Sequence, residues 1–196
     1  EITVLDPCMG SGHFLVFALP ICAALRVAEE KFSSSESVDA VLRENLFGLE
    51  IDPRCTQIAA FNLALAAWRI GGYRPLPRQH LACCGLAVNA RDTEWLALAN
   101  DDPRLRAGMK RLYDLFQQGP TLGSLIDPRS LGGDLLEAGF SDLQPLLERA
   151  VAREGSDETA HEVAVTAHGL AKAAEILACR GFTLVTTNVP YLGRGR

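Results

Sequence analysis

The sequence predicts an α/β fold in which a mostly parallel sheet carries helices on both faces. Three observations predict it. Short apolar segments typical of strands alternate with longer segments typical of helices. Glycine-rich or acidic turns follow the strands, which is typical of ligand-binding βα units. The 196 residues are 48% hydrophobic and 22% charged, a globular composition with room for one domain.

Predicted strands and helices alternate regularly in the first half of the chain. Strands are predicted over residues 2–5 and 46–51, and helices over residues 14–31, 38–44 and 53–70. The serine-rich residues 33–37 are typical of a loop or a helix cap. Asp52-Pro53 is expected to open the third helix and Gly71-Gly72 to end it.

The second half is less regular, with an irregular insertion over about 72–120. We predict strands within residues 79–88, 121–126 and 182–187, and helices over residues 92–99, 103–118, 142–153 and 157–179. The last strand is expected to form an exposed sheet edge, which would make a fragment ending there fragile or prone to self-association.

Charge and cysteine content narrow the function classes. The net charge of −5 is unlike that of a stand-alone nucleic-acid binder, although a catalytic part could rely on a basic module elsewhere. Six cysteines without a C-x-x-C pair fit free thiols in a reducing cytoplasm rather than a zinc site. No apolar run approaches the about 18 residues that a membrane span needs. We therefore expect a cytoplasmic protein, and a part of a longer one.

The first chemical signal is the D-P-C-M-G-S-G turn at residues 6–12, between a strand and a helix. Glycines let a backbone approach a ligand closely, and the following helix offers free N–H groups. Asp6 at the strand end would suit a cationic group, such as the amino group of a methionine moiety. The alternative is an ordinary turn that joins a strand to a helix.

The second and third signals also lie at strand ends. Glu50 could accept hydrogen bonds from both hydroxyls of a ribose, although it follows Gly12 by 38 residues rather than the ~20 of nicotinamide folds. In the T-N-V-P-Y segment at residues 187–191, Asn188 and a nearby carbonyl could accept from an amino group, and Tyr191 could stack on a base. The alternatives are an exposed acidic strand end and a common Asn-x-Pro turn.

Together the three motifs resemble those of amino-methyltransferases that carry D-P-x-x-G-S-G and N-P-P-Y. In particular, the chain resembles the adenine-N6 DNA methyltransferases of restriction-modification and phage-defence systems, including BREX-type enzymes. The segments at residues 44–53 and 81–88 are similar to theirs as well. The resemblance implies a Rossmann-like fold dependent on S-adenosylmethionine, of which residues 1–196 would be the N-terminal part. It also implies a target-recognition domain elsewhere, DNA contacts outside this chain, possible partner subunits, and no activity of the fragment alone.

The resemblance also implies the roles of individual residues. Glu50 would hold the ribose and Ile51 would pack on the adenine of the cofactor, with Ser124 or Asp127 as a further adenine contact. No metal would be needed. The methionine end of the cofactor would lie on Asp6, Pro7, Gly10, Ser11, Gly12 and Phe14. The target amino group would be received by Asn188, the Val189 carbonyl, Pro190 and Tyr191.

Other functions stay open. The same motifs occur in RNA base methyltransferases and in glutamine-amide methyltransferases, which also act on amino groups. A third alternative is an inactive cofactor-binding scaffold, because Val189 stands where the family has proline; it still supplies a carbonyl, and Pro190 keeps it extended. A nicotinamide-dependent oxidoreductase fits the glycine pattern poorly.

Overall fold

The computed structural model describes residues 2–84, 92–118, 132–135, 138–152 and 181–188. Between 165 and 177 it describes residues 165, 168–169, 171–173 and 175–177, all of them helical. The predicted strand over 121–126 lies outside the described residues, as does most of the predicted helix over 157–179. The chain divides into two compact units, residues 1–81 with 180–196, and residues 82–179.

A four-stranded sheet organises the first unit. Its strands are β1 (Val4–Asp6), β2 (Leu46–Glu50), β3 (His80–Cys83) and β4 (Leu184–Val185), in the order β3-β2-β1-β4. β1 pairs in parallel with β2 and with β4. The mixed α/β class with parallel pairing is therefore confirmed.

Three helices pack on one another beside this sheet: α1 (His13–Glu30), α2 (Ser34–Glu44) and α3 (Pro53–Gly71). The core that they share with the strands is made of buried aliphatic side chains, a methionine and a cysteine. Its larger members are Val4, Met9, Leu15, Leu19, Cys22, Val38, Val41, Leu42, Leu46, Leu63 and Leu81.

Local capping explains where the helices begin and end. α2 begins four residues before the predicted start at Val38, because Ser33 and Glu36 form a reciprocal capping box at its N-terminus. In α3, the Asp52 side chain accepts from the Arg54 N–H at 2.8 Å and Pro53 occupies the first turn. Gly72, with φ of 79°, follows the last turn of α3. The predicted cap of α3 and its predicted end are both confirmed.

The buried Asn45 fixes the starts of β1 and β2 relative to each other. Its side-chain amide donates to the Ile2 carbonyl, and its backbone carbonyl accepts from the Val4 N–H at 2.7 Å. Arg26 of α1 donates to the Asn45 side-chain oxygen from Nε at 3.1 Å. These bonds hold β1 and β2 in register, so that Asp6 at the end of β1 lies opposite Gly48, two residues before the end of β2 at Glu50.

β4 is shorter than the predicted strand over residues 182–187, and it lies at the end of the sheet order, as predicted. Leu184 and Val185 are 48% and 55% exposed. Pairing continues past the strand on the β1 side, where the Thr186 N–H donates to the Leu5 carbonyl at 2.9 Å. The backbone after Val185 is therefore held against the end of β1.

The second unit is mainly helical in its described part. It contains α4 (Asp92–Ala97), α5 (Pro103–Phe116) and α6 (Phe140–Ala152), with α5 in contact with both of the others. The fully buried Trp95 packs edge-on against Phe116, with ring centroids 5.7 Å apart. No helix in the described ranges has the length and apolar character needed to cross a membrane.

Candidate functional site at the carboxyl edge of the sheet

The glycine-rich turn between β1 and α1 has a backbone that requires glycine at two positions. Gly10 and Gly12 have φ of 53° and 81°, in the left-handed region that side chains disfavour. A Cβ on Gly12 would also lie 3.0 Å from the Cβ of Ala59 in α3. A Cβ on Gly10 would meet nothing within 4 Å. The turn is thus packed on the protein at Gly12 and open at Gly10.

The turn is joined to β2 by backbone and side-chain bonds. The Met9 N–H donates to the Leu49 carbonyl at 3.0 Å, and the Gly10 N–H donates to Glu50 Oε2 at 2.7 Å. The other carboxylate oxygen of Glu50 accepts from the N–H groups of Ile51 and Asp52, at 2.7 and 3.0 Å. Three backbone donors therefore hold the predicted ribose carboxylate beside the turn predicted to bind the methionine moiety.

Asp6 is the most deeply buried polar group of this edge, at 1% exposure. Its Oδ1 accepts from the Cys8 N–H at 3.2 Å, whereas its Oδ2 has no hydrogen-bond partner among the described residues. Burial raises the pKa of the Asp6 carboxyl, the Cys8 bond opposes this rise, and the charge of Glu50 adds to it. The carboxylate is therefore held where a cationic partner would stabilise it.

The first turn of α1 follows the glycine-rich turn directly. Gly12 is the N-cap residue, and no described side chain caps the helix. The Ser11 carbonyl accepts from the Asn62 side chain of α3 at 3.0 Å, which anchors the turn on its other flank. Phe14, in the first turn of the helix, is 40% exposed. Ile51, just beyond β2, is 64% exposed and leaves an apolar surface at the same edge.

The predicted acceptor Asn188 follows β4, the neighbour of β1 on the side away from β2. It is exposed. Since the three strands run parallel, their carboxyl ends meet at one edge, as ligand sites of open α/β sheets require. Val189, Pro190 and Tyr191 lie outside the described residues, and so do Ser124 and Asp127.

Sequence reasoning missed two residues of this edge. Gly48 of β2 lies opposite Asp6, and a Cβ there would overlap Met9 Sδ and lie 2.9 Å from the side chains of Leu15 and Leu81. Thr186 carries a buried hydroxyl without a partner among the described residues. The only sequence signal for Thr186 was the alternation of a strand that leads into Asn188.

No protein-family profile matches the chain. The adenine-specific methyltransferase PglX of Lacticaseibacillus casei (strain Zhang) is 27% identical over 100% of this chain and 16% of its own length. The adenine-specific methyltransferase BrxX of Escherichia coli O9:H4 (strain HS) is 30% identical over 98% of this chain and 17% of its own length.

Among solved structures, a nuclease-deletion mutant of the Type ISP restriction-modification enzyme LlaGI in complex with a DNA substrate mimic aligns with 87% of this chain and 14% of its own. The TM-score is 0.36 and the identity 15%, too low to support an argument. The chain thus spans about a sixth of the length of the curated relatives that it matches. The resemblance carried by its motifs is confirmed: the chain is related from end to end to one segment of proteins named adenine-specific methyltransferases.

Proposed function

We propose that this chain is the cofactor-binding part of an S-adenosylmethionine-dependent methyltransferase that acts on the N6 amino group of adenine in DNA, within a restriction-modification or phage-defence system. The observation that carries the proposal is the meeting of Asp6, the open turn at Gly10 and Glu50 at one sheet edge, beside the strand that leads to Asn188. Similarity to adenine-specific methyltransferases along the whole chain supports the same activity. We assign the fold, accordingly, to the Rossmann-like methyltransferase class.

The residues at this edge fit the proposed cofactor. The unpartnered Oδ2 of Asp6 suits the ammonium of the methionine moiety, and the open space at Gly10 admits a ligand against the backbone. Glu50 would accept hydrogen bonds from the ribose hydroxyls, and the exposed Ile51 side chain offers an apolar surface for an adenine ring. When bound, S-adenosylmethionine supplies an electrophilic methyl group on its sulfonium.

The chain's own contribution to the reaction would be binding and orientation. Asn188 accepts a hydrogen bond from the target amino group, which turns the lone pair of the target nitrogen toward the methyl group. The Val189 carbonyl is a second acceptor, and the two together stabilise the positive charge that develops on the nitrogen. Asp6 and Glu50 act on the cofactor alone, so they set its affinity and position. Recognition of the DNA sequence and any partner subunits are assigned to parts of the protein beyond these residues.

The test uses the full-length protein, expressed in a methylation-deficient host whose DNA is then sequenced for N6-methyladenine. Asn188→Ala should abolish methylation and keep the affinity for S-adenosylhomocysteine in calorimetry. Thr187→Ala is the matched control, since Thr187 is the exposed neighbour of Asn188 in the same segment. Full methylation by Asn188→Ala would refute the assigned role.

The wild-type protein separates the remaining functions. Modified adenine in one fixed sequence context supports the proposal and shows that Val189 is tolerated. Unmodified DNA from a protein that binds S-adenosylhomocysteine would contradict it in favour of an RNA substrate, a glutamine-amide substrate or an inactive scaffold. The last of these is favoured by Val189, because valine lacks the rigidity that proline gives this motif.

A further inference from the structure

Thr186 stands opposite Asp6 at the carboxyl edge of the sheet. β4 pairs with β1 so that Val185 faces Leu5, and the next bond of the ladder is the one from the Thr186 N–H to the Leu5 carbonyl, at 2.9 Å. The register therefore places Thr186 beside Asp6 on the neighbouring strand. Opposed residues of paired strands point to the same face of a sheet, with backbones about 4.8 Å apart.

Both side chains carry a buried oxygen without a partner. Thr186 Oγ1 and Asp6 Oδ2 make no hydrogen bond to any described residue. Asp6 as a whole is 1% exposed, so water does not substitute freely for the missing partner. Leaving a buried polar atom unsatisfied costs about 1–3 kcal/mol, and more for a charged one. Two such atoms on adjacent strands indicate a ligand group that binds both.

The chemistry of the two oxygens selects the kind of ligand group. A carboxylate only accepts hydrogen bonds, and a hydroxyl accepts as well as donates. The negative charges of Asp6 and of Glu50 nearby favour a cation and disfavour a carboxylate or a phosphate. A primary ammonium has three donors, and one nitrogen can reach two acceptors about 5 Å apart with bonds of about 2.8 Å each.

We propose that the Thr186 hydroxyl is the second acceptor, with Asp6, for the ammonium of the methionine moiety of S-adenosylmethionine. This inference rests on the proposed function. Thr186 and Asn188 belong to the same segment and lie about 6.6 Å apart along an extended chain. One segment would therefore hold the amino-acid end of the cofactor and the target amino group, and fix the distance between them.

The experiment compares two ligands on the full-length protein by calorimetry. S-adenosylhomocysteine carries the ammonium, whereas 5′-methylthioadenosine has the same adenosine and thioether without the amino-acid part. Thr186→Val, which is isosteric, should weaken binding of S-adenosylhomocysteine by about 10-fold or more and leave that of 5′-methylthioadenosine within about twofold. Thr187→Val is the matched control and should alter neither, because it removes an exposed hydroxyl one position along the chain.

A second pair of variants guards against a folding defect in Thr186→Val. Thr186→Ser and Thr186→Ala both lack the methyl group and differ only in the hydroxyl. Serine should keep the preference for S-adenosylhomocysteine over 5′-methylthioadenosine, and alanine should lose about 10-fold of it.

The outcomes separate this inference from the proposed function. Equal affinity changes for the two ligands, or no change for either, would overturn the role of Thr186 while the cofactor site stands. A wild-type protein that binds neither ligand would overturn the proposed function, and the inference with it. A loss confined to the ammonium-bearing ligand supports both.

Discussion

Gly48→Ala tests whether packing beneath the glycine-rich turn holds the site in place. The added Cβ would overlap Met9 Sδ and lie 2.9 Å from Leu15 Cδ1 and from Leu81 Cδ2. Comfortable separations between such atoms are about 3.5–4.0 Å, so each leucine must yield by about 0.6–1.1 Å and Met9 by more. Met9 and Leu15 are only 4% and 0% exposed, and their displacement is into filled space.

The expected cost follows from this overlap. Overpacking a filled core destabilises by about 1–3 kcal/mol. Three simultaneous overlaps place Gly48→Ala in the upper part of that range, at about 2–3 kcal/mol. Because Met9 belongs to the turn, its displacement should also weaken binding of S-adenosylhomocysteine.

Hydrogen exchange of the full-length protein, followed in peptides that cover β1 and β2, measures the effect where it arises. A loss of about 2–3 kcal/mol corresponds to exchange about 30- to 150-fold faster in segments that open with this unit. Gly181→Ala is the matched control, since a Cβ there meets nothing within 4 Å, and it should change exchange by less than about threefold. Gly48→Ala should cost less in a Met9→Ala background than in the wild type, because Met9→Ala removes the deepest overlap. Exchange of Gly48→Ala within threefold of wild type would refute the packing argument.

Three further changes test the site and its support. Glu50→Gln leaves an NH₂ group facing a backbone donor such as the Gly10 N–H. The affinity for S-adenosylhomocysteine should therefore fall about 10-fold. Unchanged affinity would mean that this contact does not shape the site. Asp6→Asn should flatten the pH dependence of stability. The pKa of Asp6 is raised in the fold, so its contribution to the stability of the unliganded protein is fully present below the unfolded pKa of 3.8. That contribution is lost as the pH rises through the folded pKa. The check is the denaturant midpoint of the wild type and of Asp6→Asn, measured across the pH range from 3.8 upward. Parallel changes of the two midpoints with pH would contradict the prediction. Ser33→Ala removes the side-chain cap that accepts from the Glu36 N–H at 3.3 Å, which should destabilise α2 by about 1 kcal/mol. Amide hydrogen exchange in α2 should then be about fivefold faster. Unaltered exchange would show that the cap is dispensable.

The features that could be predicted from sequence are those fixed by neighbours along the chain. Asp52-Pro53 and Gly72 mark the ends of α3, because the cap and the left-handed residue act within one turn of the helix. The early start of α2 was not predicted, although its capping box is equally local, because Ser33 and Glu36 lie in a run of serines that is also typical of a loop.

The features that could not be predicted depend on strands that meet from distant parts of the chain. Glu50 was predicted at the end of β2, but its bond to the Gly10 N–H follows from the register of β1 against β2. The placement of Thr186 beside Asp6 follows from the pairing of β1 with β4, which no local pattern specifies. The roles of Asn188 and of the residues after it stay predictions.

Comparison with other buried polar residues in the described part of the first unit supports the proposal that Asp6 binds a ligand. Thr3 exchanges hydrogen bonds with Thr183, the Ser37 hydroxyl donates to a carbonyl at 2.9 Å, and the Asn45 amide is bonded at both of its ends. Asp6, equally buried and able to carry a charge, keeps one oxygen without a partner. Unlike these three residues, Asp6 leaves a polar atom unpaired among the described residues, and so does the Thr186 hydroxyl beside it, which supports a ligand at this edge rather than a role in stability. Under this proposal, binding of a cation would offset the cost of burying the Asp6 carboxylate, so the group that destabilises the unliganded fold would stabilise the liganded one.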